Sequence, residues 1–284
     1  MKRSSTLFAV VAGAAATLLA LSGCSASGTT PSGSDGPPQA GGDLVMARSA
    51  SVMTLLPSRV AENGSLWVTE EIFDTLLVPS RDGKSVEPSL ATEWEQSADQ
   101  LSWTFTLRTD VVFSDGTPLT AKDVKFSIEE ASDPSSPFGF INAPIASIAA
   151  PDDHTVVVTT KTPCAALPAI MSIFQNAVLP FEYGGVSVDE FAEKPVGSGP
   201  FVFESWTKGK EVKLLKNAKY WKENLPRLDS VTFSVVTDSS TRANQVQGGQ
   251  AQINEGPAFS SIENLRSQNG VEVELFEASN VDFL

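Results

Sequence analysis

The chain has 284 residues, 41% of them hydrophobic, enough to fill one large domain or two ordinary ones. Its formal charge of −14 at pH 7 argues against nucleic acid and against an anionic membrane surface as partners. That acidity identifies no ligand.

Lys2 and Arg3 precede an apolar run from Leu7 to Leu21. The run is about 15 residues, short of the roughly 20 that a membrane-spanning helix needs. A basic start, a short apolar middle and small residues at its end describe a secretory signal over residues 1–23. Leu21-Ser22-Gly23-Cys24 resembles the bacterial lipoprotein box, which implies an acylated Cys24 as first residue of the mature chain. Plain secretion with an incidental cysteine is the alternative. Loss of the two basic residues takes the charge from −14 to −16. Lipidation would hold the protein at the outer face of a cell membrane without a spanning helix.

Residues 24–42 read as a flexible tether of Ser, Gly, Thr, Pro, Ala and Gln with one Asp, unable to bury enough surface to order itself. Such a segment reaches about 25 Å on average. If Cys24 is acylated, Cys164 is the other thiol and no disulfide can close within the mature chain. Cys164 then reads either as a small buried apolar residue or as partner to a cysteine elsewhere.

From Gly41 the pattern becomes globular. Asp43–Ala50 predicts a strand, and Val52–Pro57 a loop. Asn63-Gly64-Ser65 opens a helix with Leu66, Phe73 and Leu77 on its apolar face, and Arg81-Asp82-Gly83-Lys84 is a turn. Leu101, Trp103, Phe105 and Leu107 alternate with Ser102, Thr104, Thr106 and Arg108, a half-buried strand. A short strand at Val111–Phe113 is cut by Ser114-Asp115-Gly116. Thr120 with Asp123 approximates a capping box for a helix carrying Val124, Ile128 and Ala131, ended at Asp133-Pro134.

The loop from Pro134 to Pro144 bears Phe138 and Phe140, placed either for recognition or to pack beneath it. A turn at Pro151–His154 leads into a strand at Thr155–Thr160, and Leu167–Leu179 suits a buried helix passing into a strand. Val231–Val236 predicts a strand and Ser239-Ser240-Thr241 caps a helix ending at Gly248-Gly249. Ile262 and Leu265 mark a last helix before Gly270, and Val271, Val273 and Leu275 alternate as a strand.

Three stretches carry a family pattern: Glu87–Trp94, then Trp103–Ser127 (WTFTLRTDVVFSDGTPLTAKDVKFS), then Lys194–Phe201 with Val212–Trp221. Together they resemble the family 5 extracellular solute-binding proteins, the dipeptide-, oligopeptide- and nickel-binding receptors of ABC importers. The resemblance implies an α/β, type II (cluster C) periplasmic-binding-protein fold, two-lobed, with mixed sheets flanked by helices. It divides the chain into a large lobe at 43–78 and 184–284 and an inserted small lobe at 79–183. Family members continue well beyond the point where this sequence stops. A truncated chain is therefore expected, with the second ligand-binding lobe following residue 284. Gln250 and Gln252 depart from the family's acidic pattern and leave Asn254 near its Asp position.

Enzymatic constellations are missing. The single histidine, His154, lies in a turn, and no zinc spacing or Walker loop appears. Gly197-Ser198-Gly199 lacks a third glycine at Val202, and Val196 stands where a nucleophile elbow needs glycine. The pairs Glu70-Glu71 and Glu129-Glu130 point apart as helical neighbours and read as solvated surface.

No catalytic residue, cofactor or metal is expected. The resemblance implies a binder of oligopeptides or similar small solutes, monomeric, working with an ABC permease and its ATPases. Ligand contacts are expected at Met53, Thr54, Leu55, Asn63, Trp67, Phe138, Phe140, Asn254 and Glu255. A sensing or adhesion lipoprotein of the same fold, or a fragment that binds nothing, is the alternative.

Overall fold

The computed structural model describes residues 39–275. The chain opens with β1 (Asp43–Arg48) and, after the loop at residues 49–56, a 3-10 turn at Pro57–Arg59. Helix α1 (Asn63–Ile72) is capped by Glu62, whose carboxylate accepts the Ser65 amide at 2.8 Å. It ends at Ile72 because Phe73 turns to extended geometry (φ −122°, ψ 153°). The buried face is therefore Val68, Thr69 and Ile72, rather than the longer Leu66–Phe73–Leu77 stripe of the sequence pattern. Leu77 lies in the next strand.

A small hairpin of β2 (Leu77–Pro79) and β3 (Val86–Pro88) encloses the Arg81–Lys84 turn. Then come β4 (Ala91–Gln96) and β5 (Ser102–Leu107), paired antiparallel, with Phe105 and Leu107 buried and Thr104 and Thr106 exposed. Val111–Phe113 is not a strand. Only the bridge Val112 to Pro118 forms, since Pro118 has no amide to extend a ladder. The Ser114–Gly116 turn it closes has Gly116 at φ +100°.

Helix α2 (Ala121–Ala131) starts on a complete capping box: the Thr120 amide donates to Asp123 Oδ2 at 2.7 Å. Strands β6 (Ile145–Asp152) and β7 (Thr155–Thr160) complete a four-stranded antiparallel sheet in the order β4-β5-β7-β6. β6 is an edge. It is irregular against β7 at two places, is preceded by Pro144 and has Pro151 as its penultimate residue.

Leu167–Leu179 departs from its sequence reading. Only α3 (Leu167–Ile170) is helical, followed by a 3-10 turn at Phe174–Asn176 and no strand. The amides of Asn142 and Asn176 pair reciprocally at 2.8 and 3.2 Å and fix that turn.

After α4 (Val188–Glu193), strands β8 (Phe201–Thr207), β9 (Glu211–Lys216) and β10 (Ser230–Val235) build the second sheet. Helix α5 (Ser239–Gln247) is capped by Asp238, one residue ahead of the predicted serines. A two-residue β11 (Ile253–Asn254) and α6 (Ile262–Arg266) follow. Among the described residues Val271–Leu275 form no strand.

The second sheet has the order β11-β1-β10-β9-β8. Strand β1 runs parallel to both β10 and β11, with Leu44 opposite Val231 and Met46 opposite Phe233. Everything from α1 to β9 is thus inserted between two neighbouring strands. One apolar cluster gathers Phe105, Val124, Ile128, Val156, Val158 and Met171 beneath the four-stranded sheet. The other gathers Leu55, Val68, Phe73, Phe191, Leu214 and Phe233 between α1 and the five-stranded sheet.

Between the sheets, chain passages run in backbone contact. The Gly199 amide donates to Ile72 O at 2.8 Å, and the Val178 amide to Asp74 O at 2.8 Å. A Cβ at Gly197 would lie 2.1 Å from Ile72 O, and one at Gly199 2.5 Å from Ile72 C. Only glycine lets the two passages approach this closely. Gly197-Ser198-Gly199 is therefore a crossing point of the two passages.

Candidate functional site

Because β1, β10 and β11 are mutually parallel, their carboxyl ends (Arg48, Val235 and Asn254) share one end of the sheet. In open α/β sheets, ligands bind outside the carboxyl ends of the strands. Loop 49–56, the start of α1 and Asn254–Pro257 converge there.

The loop is held by one hydroxyl. Ser65 Oγ accepts the amides of Met53 at 2.9 Å and Thr54 at 3.1 Å, and is itself hydrogen-bonded to Glu62. Gly64 makes the close approach possible, since a Cβ there would stand 2.4 Å from Ser51 O. Met53 is 72% exposed, and Leu55 beside it is fully buried in the core. Of this trio, Met53 is exposed and Thr54 half-buried, while Leu55 anchors the loop in the core.

Beneath the loop lies Arg48, fully buried. Its guanidinium donates to Gly64 O at 2.8 Å and Asn63 O at 3.0 Å. Its Nε stands 3.1 Å from Glu255 Oε2. The ring of Trp67 lies 5.3 Å and that of Phe233 5.6 Å from the guanidinium carbon, cation–π distances. A second buried arginine, Arg242, donates to Asn254 Oδ1 at 3.0 Å, to Val236 O at 2.7 Å and to Gly256 O at 3.0 Å. Charge-assisted bonds of this kind are the strong class. They fasten the 254–257 segment to the sheet end.

Asn63, Trp67, Asn254 and Glu255 are thus brought together around two arginines that sequence reasoning did not select. Trp67, Asn254 and Glu255 line a cavity of about 600 Å³ with Met46, Ile253 and Pro257. That size suits a small ligand. Phe138 and Phe140 lie elsewhere, on the link between α2 and β6. Phe138 packs edge-on against Phe174 with centroids 5.5 Å apart, and Phe140 is 70% exposed. No sequence signal marked Arg48 or Arg242, because a strand-end or helical arginine ordinarily reads as solvated.

Glu70 and Glu71 of α1 border a second cavity of about 340 Å³ floored by Leu44, Met46, Phe201 and Phe233. Glu71 is half-buried rather than solvated. Burial, and then the neighbouring Glu70 charge, push its carboxyl up to about 7. Cys164 is partly buried and free, with its carbonyl accepting Trp103 Nε1 at 3.1 Å. Cys24 falls outside the described residues. Among those described, no helix is long and apolar enough to cross a membrane.

Comparison with known proteins gives a consistent result. Residues 85–284 match the model for bacterial extracellular solute-binding proteins, family 5 middle. The probable D,D-dipeptide-binding periplasmic protein DdpA of Escherichia coli (strain K12) is 32% identical over 254 residues, 85% of this chain and 48% of its own length. The glutathione-binding protein GsiB of Salmonella typhimurium is 34% identical over 218 residues, 76% of this chain and 42% of its own. DppA from Helicobacter pylori, a periplasmic binding protein solved with the peptide STSA, is similar with a TM-score of 0.72 and 33% identity, covering 81% of this chain and 49% of its own. The chain spans about half the length of the curated relatives it matches. Its α/β architecture of mixed sheets is that of type II periplasmic binding proteins. The chain belongs to the bacterial extracellular solute-binding proteins of family 5.

Proposed function

We propose that this protein is the ligand-capturing component of an ABC importer, taking up short peptides outside the cell and presenting them to a permease with its ATPases. It binds and releases without chemistry. The observation that carries this reading is the cavity lined by Trp67 and Asn254–Pro257 beside the carboxyl ends of three parallel strands. Peptidic ligands in the names of all three relatives support the substrate class. Met53, Thr54, Asn63, Trp67, Asn254 and Glu255 would contribute this chain's share of the contacts. Residues 43–78 and 184–284 act as one lobe and 79–183 as an inserted one, with ligand selecting the closed arrangement. The protein works as a monomer, tethered through a lipid on Cys24.

Calorimetric titration of the chain with D-Ala-D-Ala, glutathione and the peptide STSA tests the reading. Saturable heat with at least one of them, and recovery of that peptide intact, is expected. Silence with all three, or conversion of a peptide, overturns it. In bacterial cells the protein should fractionate with membranes, and Cys24→Ser should release it. Retention of the variant would remove the anchor from the proposal.

A further inference from the structure

Asp74 stands at the seam between the two sheets, 8% exposed, in the link from α1 to β2. Its Oδ2 accepts Ser198 Oγ at 2.9 Å and Trp221 Nε1 at 3.0 Å, and Oδ1 lies 3.5 Å from the Tyr220 hydroxyl. An indole N–H can only donate, so this carboxylate is held as an acceptor. On the face of Trp221, the Arg108 guanidinium lies 4.4 Å from the ring centroid, itself clamped by Asp110 at 2.9 and 2.7 Å.

Ser198 belongs to the crossing passage that enters β8, and Arg108 directly follows β5. A continuous line of contacts, Ser198–Asp74–Trp221–Arg108, therefore joins the five-stranded sheet to the four-stranded one. A buried carboxylate is a costly choice for a fastener unless its charge is used. Burial pushes the Asp74 carboxyl up, while the bonds from Trp221 and Ser198 pull it down.

We propose that Asp74 is a positioning residue whose carboxylate fixes the angle between the two sheets through Trp221 and Arg108, and whose protonation releases that angle. The proposal stands apart from any ligand. The other charged or titratable groups facing the node are Glu70 and Glu71 of α1 and Tyr220 and Lys222 after β9, which line a cavity of about 290 Å³ with it. Arg108, just after β5, reaches the node through the indole. Among them Lys222 favours the ionised form of Asp74.

The test uses indole N–H nuclear magnetic resonance of the whole chain, in which each of the 5 tryptophans contributes one signal. One signal, assigned to Trp221 by its disappearance in Trp221→Phe, should move in a single step as pH rises, with a midpoint above the ordinary carboxylate range. Asp74→Asn should abolish that movement while the remaining signals stay dispersed. Glu71→Gln should keep it. A Trp221 signal that fails to move in the parent, or still moves in Asp74→Asn, overturns the proposal.

The angle itself is read by electron–electron double resonance between nitroxides at Thr104 and Lys213, exposed positions on the two sheets, with both native cysteines replaced by serine. Asp74→Asn should broaden a narrow distance distribution, and an unchanged distribution overturns the proposal. Should Asp74→Asn not fold, Ser198→Ala carries the test. It removes one of the donors stabilising the anion, so the Trp221 titration midpoint should rise, and an unmoved midpoint overturns the proposal.

Discussion

Both sheets bury hydrocarbon, but they finish in different ways. Beneath the four-stranded sheet the cluster around Phe105 is hydrocarbon, built from Val, Ile, Leu, Phe and Met. The five-stranded sheet ends instead on buried charge, with Arg48 fully buried and Arg242 4% exposed, each answered by carbonyls and one side-chain oxygen. A hydrocarbon cluster is non-directional and tolerates small shifts. Guanidinium forks fix their partners to a few tenths of an ångström. The rigid, directional end is the one at which loop 49–56 and the 254–257 segment meet.

Three substitutions break or sharpen that contrast. Phe105→Ala empties the centre of the hydrocarbon cluster and should cost about 4 kcal/mol in urea unfolding. A loss under 1 kcal/mol would mean the cluster collapses around the gap. Glu255→Ala leaves the buried Arg48 cation with carbonyls alone and should cost about 2 kcal/mol, less than a deeply buried pair because Glu255 is 24% exposed. If stability is unchanged, the ion pair does not hold the sheet end.

Glu71→Gln should act in the opposite direction. The folded carboxyl titrates near 7 against an ordinary value of 4.5, so the folded state binds the proton more tightly. That contribution to stability is complete below about pH 4.5 and lost as pH rises through 7. The glutamine variant should match the parent at pH 4 and exceed it by about 1 to 2 kcal/mol at pH 8. Parallel pH profiles for the two proteins would show that Glu71 is well solvated.

Local rules explain what could be read from sequence. Alternation at Trp103, Phe105 and Leu107 was legible because one face is buried, and Thr120 with Asp123 because a cap is completed within four residues. The family pattern spanned both. Leu167–Leu179 misled because the stretch is buried without a period, so hydrophobicity alone did not distinguish helix from compact turns.

At the site, Trp67, Asn254 and Glu255 were reachable only through the family pattern. The arginines that organise them were invisible, since Arg48 finds its partners on α1 and on a segment at the far end of the sequence. Asp74 was missed for the same reason: Ser198 and Trp221 come from two later passages of the chain.

Residues 134–151 carry no charged side chain, although the protein as a whole is strongly acidic. They include all of the edge strand β6 up to its final residue. Natural edges are often guarded by lysine or glutamate, but here the guard is shape alone: two irregularities and a proline at each end. Electrostatic repulsion from the acidic remainder of the chain has no counterpart along this edge. Partial melting of the four-stranded sheet would offer neighbouring molecules a neutral ribbon, and heat-induced association is expected to start there.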